Sequence, residues 1–203
     1  MKKVKKILSY TVFWLIQCTW GIIMTLIGAI IALGLILTGH KPKTMGPTVY
    51  FEVGENWGGL ELGGFFLCCR NAPMETKYHE CGHSIQNMIW GPLMPFIICL
   101  PSAARYWLFN FNSPIKRAAY VSLLLLAIIF ITTGGAVAFA LIGGLKILVI
   151  ILEVLRMYGI LLIIWLNACE VPKFYQNRPN YDDVWFEGQA TRWGTKIYEK
   201  KED

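Results

Sequence analysis

Two stretches of the sequence are too long and too apolar to form the core of an ordinary soluble domain. Residues 7–38 contain no charged side chain, and residues 118–167 contain only Lys146, Glu153 and Arg156. A bilayer-spanning helix needs roughly 20 apolar residues, so each stretch is long enough to cross a membrane. The whole chain has 203 residues, of which 55% are hydrophobic and 16% charged. These features predict a single-domain membrane protein, mainly α-helical, with a transmembrane helical bundle.

The first apolar stretch is interrupted near its middle. Gln17, Cys18, Thr19 and Gly21 interrupt the apolar segment 7–38. The stretch is therefore predicted either as one long tilted helix or as a short interfacial helix followed by a span, and an even number of crossings would instead require a tight hairpin or a re-entrant start that bends at this point. It is too long for the apolar core of a signal peptide, and we expect it to remain in the mature protein.

The second stretch, residues 118–167, is predicted to be a transmembrane hairpin that turns at Gly143 and Gly144. Residues 92–109, which precede it, are also apolar but contain three prolines. The prolines leave pieces too short to cross a bilayer, so this segment is predicted to be re-entrant or interfacial.

The net charge of +6 arises partly from the N-terminal sequence MKKVKK, beside an apolar segment. Lysines in this position are expected to contact anionic lipid headgroups, so the lipid bilayer is a predicted partner and nucleic acid is not. The six cysteines lack the spacing of a disulfide framework or a zinc ribbon. They are predicted to be free thiols in a reducing compartment.

The polar middle of the chain is predicted to contain a small β-structure. Residues 48–53 and 60–69 are rich in β-branched and aromatic residues, and glycines stand between them. This pattern predicts a β-hairpin over residues 48–69.

The next segment, residues 74–90, is predicted to be a helix at the membrane surface, since a proline precedes it and a Gly-Pro pair follows it. It contains the sequence HECGH. His79 and His83 lie four residues apart and therefore share a face, with Glu80 beside them. Two imidazoles can hold a zinc ion while the carboxylate activates a zinc-bound water, which is the arrangement of a zinc hydrolase.

The alternative is a solvated turn of helix that happens to contain two histidines. Gly82 weighs against this alternative, because a glycine inside a helix costs about 1 kcal/mol and indicates that another backbone passes close by.

A catalytic zinc site needs a third protein ligand and one open position. Gln86 and Ile89 occupy the positions where a metzincin has its glycine and third histidine, so a distant carboxylate is required. The downstream candidates are Glu153, Glu170 and Glu187. Glu153 also fits an ion pair within its helix, and Glu170 fits a solvated membrane edge.

Glu187 is the preferred third ligand. The C-terminal segment 180–201 starts with capping and acidic residues and is predicted to be a helix. Glu187 shares one face of that helix with Ala190, Thr191 and Gly194, so the carboxylate stands among small residues that allow close packing. The alternative is a surface acid near a helix start.

The order of HECGH, two membrane helices and then EGQATRWG resembles the integral-membrane gluzincin proteases of the CAAX prenyl protease and bacterial heat-shock protease group. In that family an E-x-x-A-D segment supplies the third ligand, which corresponds to Glu187. Thr191 stands where the family has its aspartate, so the outer carboxylate partner is missing at that position. The chain is short for the family and would be a minimal branch of it.

The resemblance implies a membrane zinc metalloprotease that acts on a peptide or membrane-protein substrate, with a bacterial plasma membrane as its expected location. Zinc proteases commonly bind substrate along a strand edge, and the predicted second strand leads into the helix that carries HECGH. The expected substrate-binding residues are therefore Leu60, Glu61, Leu62, Gly63 and Gly64. The alternative function is a non-catalytic assembly or regulatory protein with a structural or degenerate zinc site.

Charge distribution predicts the side of the membrane that holds the site. If His79, His83 and Glu187 share one ion, the chain between them crosses the bilayer an even number of times. The turn of the hairpin carries only Lys146, whereas most other basic residues lie on the side of the site. The positive-inside rule then places the active site in the cytoplasm.

Overall fold

The computed structural model describes residues 2–110, 114–143, 145–175 and 180–198. The described chain is mostly helical, with one small sheet, and it divides into two compact units, Met1–Cys99 with Tyr181–Asp203 and Leu100–Asn180. Its helices are α1 (Lys2–Cys18), α2 (Ile22–Leu37), α3 (Met74–Trp90), α4 (Leu100–Asn110), α5 (Pro114–Leu141), α6 (Lys146–Trp165), α7 (Val171–Tyr175) and α8 (Trp185–Tyr198).

Helices α5 and α6 pack together as a hairpin in the unit Leu100–Asn180. Ser122–Leu141 and Lys146–Lys173 are each long and apolar enough to cross a membrane, and most of their side chains point outward from the protein. Two bent helix pairs, Val4–Cys18 with Ile22–Leu37 and Met74–Leu93 with Pro95–Tyr106, would raise the number of candidate spans to four if each pair is one span. The chain is therefore a membrane protein.

The described part of the turn between α5 and α6 includes Gly143, which has a positive φ of 68°. Gly144, the other residue of the predicted turn, lies outside the described residues.

The break in the first apolar stretch comes at residues 19–21, where α1 and α2 meet at 98°. A buried hydrogen-bond network stabilises this bend. The Gln17 amide donates to the carbonyl of Ser84 at 2.9 Å, and its oxygen accepts from Asn87 at 2.6 Å and from Thr25 at 3.1 Å. The bend is thereby attached to α3.

The sheet has four strands in the order β1-β2-β4-β3, namely β1 (Lys43–Met45), β2 (Thr48–Glu52), β3 (Gly59–Leu62) and β4 (Phe65–Cys68). The prediction of one hairpin over residues 48–69 is wrong, because β2 and β4 pair in parallel. The predicted second strand is broken at Gly63, whose φ of +73° makes a tight turn between β3 and β4. Strand β3 thus lies at an edge of the sheet, antiparallel to β4.

Helix α3 covers residues 74–90, the span that the flanking proline and glycine predict. Several of its polar side chains are buried inside the protein, including Glu80, His83, Gln86 and Asn87. The C-terminal helix α8 begins later than predicted, at Trp185, because Tyr181–Asp183 forms a separate 3-10 turn. Residues 199–201 of the predicted helix lie outside the described residues.

Helices α3 and α8 approach each other closely enough for their backbones to touch. A Cβ added to Gly82 would overlap the carbonyl group of Ala190, and one added to Gly194 would overlap the carbonyl group of Tyr78. Small residues at both crossing points therefore permit this contact. The close packing that the sequence predicts for the face of Glu187, Ala190, Thr191 and Gly194 is thus present.

Replacing Gly82 by alanine is expected to lower the free energy of unfolding by about 1–3 kcal/mol, because the added methyl group forces α3 and α8 apart. The matched change Gly34→Ala adds the same methyl group in open space on α2 and is expected to be neutral or stabilising. Thermal unfolding of both variants in detergent measures the difference. Equal midpoints would contradict the close contact.

Candidate metal centre

Three side-chain atoms from α3 and α8 converge on one point. The Nε2 atoms of His79 and His83 lie 3.0 Å apart. Oε2 of Glu187 lies 3.1 Å from the first and 3.2 Å from the second. The pair of histidines comes from one face of α3, and Glu187 comes from the first turn of α8. The structure thus brings together the three residues that sequence analysis selects as metal ligands.

The three atoms can hold a metal ion. A tetrahedral ion with bonds of about 2.0–2.1 Å keeps its ligand atoms about 3.3 Å apart, close to the separations found here. Oε1 of Glu187 is fully buried and has no hydrogen-bond partner among the described residues. Since a buried carboxylate oxygen without a partner is costly, a cation at this point would stabilise it.

Electrostatics within the trio favour a shared positive charge. Burial alone would lower the pKa of His83, but the hydrogen bond to Glu187 and its negative charge outweigh burial and raise the pKa to about 9. Burial alone would raise the pKa of Glu187, but the hydrogen bonds from the two histidines hold it well below its usual range. The site therefore attracts a cation, whether a proton or a metal ion.

The outer nitrogen of His83 has a partner that fixes its ring. Its Nδ1 lies 2.7 Å from Oε1 of Gln86. The amide nitrogen of Gln86 donates to the carbonyl of Phe186 at 2.8 Å, which orients the amide oxygen towards the histidine. Nδ1 of His83 therefore carries a proton, and Nε2 is the nitrogen that faces the site and would bind a metal ion. Sequence reasoning missed this role, although the i, i+3 spacing of the two residues indicates it.

The outer nitrogen of His79 contacts Thr191, the residue that departs from the gluzincin pattern. Its Nδ1 lies 2.8 Å from the hydroxyl oxygen of Thr191. The hydroxyl group donates in turn to Oδ1 of Asp182 at 2.9 Å. Asp182 lies in the 3-10 turn before α8 and is thus linked to His79 through Thr191. Sequence reasoning missed this link, because no local spacing connects Asp182 with His79.

The carboxylate of Glu80 lies between the histidines and the edge strand. A Cβ on Gly59 would overlap it, and the backbone N–H of Glu61 donates to it. Burial raises the pKa of Glu80, and the charges of His79 and His83 oppose this only in part. The side chain is thus a buried base beside the trio.

The edge strand presents backbone groups beside Glu80. Cys69 N donates to the carbonyl of Gly58, so the alternation of an antiparallel ladder directs the backbone groups of Gly59 and Glu61 away from β4. The side chain of Leu60 is exposed and that of Leu62 is buried. Burial raises the pKa of the Glu61 side chain to about 8.

The last two predicted substrate residues have another environment. Gly63 and Gly64 lie in the turn between β3 and β4, packed against Thr25 and Trp14. The backbone N–H of Gly64 donates to the hydroxyl of Thr25 at 3.3 Å, so it is not free to bind a substrate. The free edge of the sheet is therefore limited to Gly59–Leu62, in which Leu60 is exposed, Gly59 is half-buried, and Glu61 and Leu62 are buried.

The alternative third ligands are engaged elsewhere. Glu153 pairs with Arg156 on α6. Glu170 is buried and forms ion pairs with Arg105 and Lys173, each at 2.6 Å. All six cysteines are free.

Searches of protein-family models, of curated proteins and of solved structures found no match to this chain.

The purified protein is expected to contain one divalent metal ion per chain, and Glu187→Gln is expected to lower that content sharply, because an amide oxygen replaces a carboxylate ligand. The control Glu153→Gln makes the same change in a carboxylate that pairs with Arg156 outside the trio. Elemental analysis of both variants measures the effect. Loss of metal from the control with retention in Glu187→Gln would show that the trio is not the metal site.

Proposed function

We propose that this chain is a membrane-embedded zinc metalloprotease that hydrolyses peptide bonds of a membrane-associated substrate. The observation that carries the proposal is the convergence of His79, His83 and Glu187 next to the carboxylate of Glu80 and the edge strand β3. The resemblance of the HECGH and EGQATRWG segments to membrane gluzincins supports the same function.

The donor set favours zinc among the divalent metals. Two imidazoles and one carboxylate form the ligand set of several zinc peptidases, and three protein ligands leave one position open. A zinc ion bound there would supply a Lewis acid that acidifies water and polarises the substrate carbonyl. His79 is the more exposed of the two histidines, at 13% against 8% for His83, so its side of the site lies nearer to solvent.

Glu80 is the proposed general base. Its carboxylate takes a proton from the attacking water and delivers it to the leaving amine. A base works best when its pKa is near the operating pH, and burial moves the pKa of Glu80 in that direction. The N–H of Glu61 holds one side of the carboxylate in place.

The edge strand around the half-buried Gly59 and the exposed Leu60 is the proposed substrate edge. An extended peptide can add to the sheet there as another strand, with its scissile bond near Glu80. Because Gly59 has no side chain, the carboxylate of Glu80 can lie directly against this strand.

Replacing Glu80 by glutamine is expected to retain the metal and reduce peptide hydrolysis by at least about 100-fold, because the ligands remain and the base is lost. The matched control Glu75→Gln changes an exposed carboxylate in the first turn of α3. Hydrolysis of a quenched-fluorescence peptide library by the detergent-purified protein measures activity. Wild-type activity in Glu80→Gln would refute this mechanism, whereas a zinc-loaded wild type without any hydrolysis would favour the non-catalytic alternative.

We also propose that the site faces the cytoplasm. The basic residues expected on the side of the site outnumber those at the turn of the α5–α6 hairpin, and basic residues are enriched on the cytoplasmic side. The residues expected on the cytoplasmic side include Lys41, Lys43, Arg70, Lys77, Arg105, Lys116 and Arg117.

Single cysteines in a cysteine-free background test this orientation in intact cells. Cysteines at Glu75 and Thr195 are expected to be protected from an impermeant thiol reagent, whereas one at the exposed Ile142 in the hairpin turn is expected to react. The opposite pattern would place the site outside the cytoplasm, and labelling of only one of positions 75 and 195 would rule out a shared metal site.

A further inference from the structure

The hydrogen bonds around Thr191 determine which atom carries each proton. A carboxylate only accepts, so the single hydroxyl proton of Thr191 is donated to Oδ1 of Asp182, 2.9 Å away. The hydroxyl oxygen must then accept from Nδ1–H of His79, 2.8 Å away. Nδ1 of His79 therefore carries a proton, and Nε2 is the nitrogen that faces His83 and Glu187 and would bind a cation.

Packing holds Asp182 in this position from two sides. Gly188 of α8 lies so close to the 3-10 turn that an added Cβ would be 2.6 Å from the carbonyl oxygen of Asp182. On the other side, the ring of Tyr181 packs against the ring of His79, with their centroids 5.7 Å apart. The turn Tyr181–Asp183 therefore contacts the same histidine through a ring and through a hydrogen-bonded carboxylate.

We propose that Asp182 is a positioning residue that acts on the metal through Thr191 and His79. The gluzincin pattern has a carboxylate at the position of Thr191. Here Asp182 supplies a carboxylate instead, and the hydroxyl group of Thr191 lies between it and His79. The chain of hydrogen bonds fixes the orientation of the His79 ring and directs Nε2 towards the site. This role rests on the proposed metal site, and it gives a specific function to the one residue that departs from the pattern.

The expected size of the effect follows from exposure. Outer partners of ligating histidines contribute about 10- to 100-fold to metal affinity. Asp182 is exposed, so water and salt screen its charge, and the lower end of that range applies.

The test measures zinc affinity of the full-length protein in detergent, by competition with a chromophoric chelator at fixed pH and salt. Asp182→Asn and Thr191→Val are each expected to weaken zinc binding about 10-fold. The double variant is expected to bind about as weakly as either single one, because both changes break the same chain of hydrogen bonds. Thr191→Ser retains the hydroxyl group and should bind like the wild type.

Two further variants separate positioning from general charge or folding effects. Asp183→Asn removes the same charge from the neighbouring exposed residue of the turn and should leave the affinity unchanged. Thr191→Asp in the Asp182→Asn background places a carboxylate directly beside His79 and should restore the wild-type affinity. A fold that simply depends on Asp182 would not be rescued in this way.

The outcomes distinguish this inference from the proposed function. If the wild type binds zinc but Asp182→Asn and Asp183→Asn bind it equally well, the role of Asp182 is overturned and the metal site stands. If Thr191→Asp fails to rescue, Asp182 acts only on the fold, and the inference is likewise overturned. If the wild type binds no zinc, both the proposed function and this inference fail.

Discussion

The contact between α3 and α8 is the constraint on which the site depends. The two histidines and Glu187 lie about a hundred positions apart in the chain, and their side chains can share an ion only if the two helix backbones nearly touch. Gly82 against Ala190, and Gly194 against Tyr78, make that approach sterically possible. The lack of a side chain at Gly82 and Gly194 is therefore needed for His79, His83 and Glu187 to lie within about 3 Å of one another.

Burying so many ionisable groups in a small unit is unfavourable unless each finds a partner. Around the trio, the carboxylate of Glu187 offsets the burial of the histidines, and backbone N–H groups support the carboxylates of Glu61 and Glu80. In the other unit, the buried Arg105 and Glu170 satisfy each other. Within the trio, Oε1 of Glu187 has no partner among the described residues, as is also the case for Oε2 of Glu61 and Oδ1 of Asn87 nearby in the same unit. A cation bound by the trio would offset the unpaired oxygen of Glu187.

The bilayer and the metal site make different demands on the sequence. The α5–α6 hairpin needs mainly apolar length, and its two candidate spans are strongly apolar. The unit that contains the site instead uses Gln17, Thr25 and Asn87 to attach the bend between α1 and α2 to the α3 helix. A membrane-associated substrate would then meet the edge strand β3 beside apolar helices, which suits the proposed protease activity.

Local pattern alone predicted the membrane hairpin, the bounds of α3 and the three residues of the candidate metal centre. Each of these depends on periodicity, on a flanking proline or glycine, or on residues one helical turn apart, which neighbouring residues encode. Only the tertiary structure decided the parallel pairing of β2 with β4, the burial of Gly63 and Gly64, and the link from His79 through Thr191 to Asp182. Those features join segments that are distant in the chain or held in place by packing, and such contacts leave no repeat or spacing in the sequence from which to infer them.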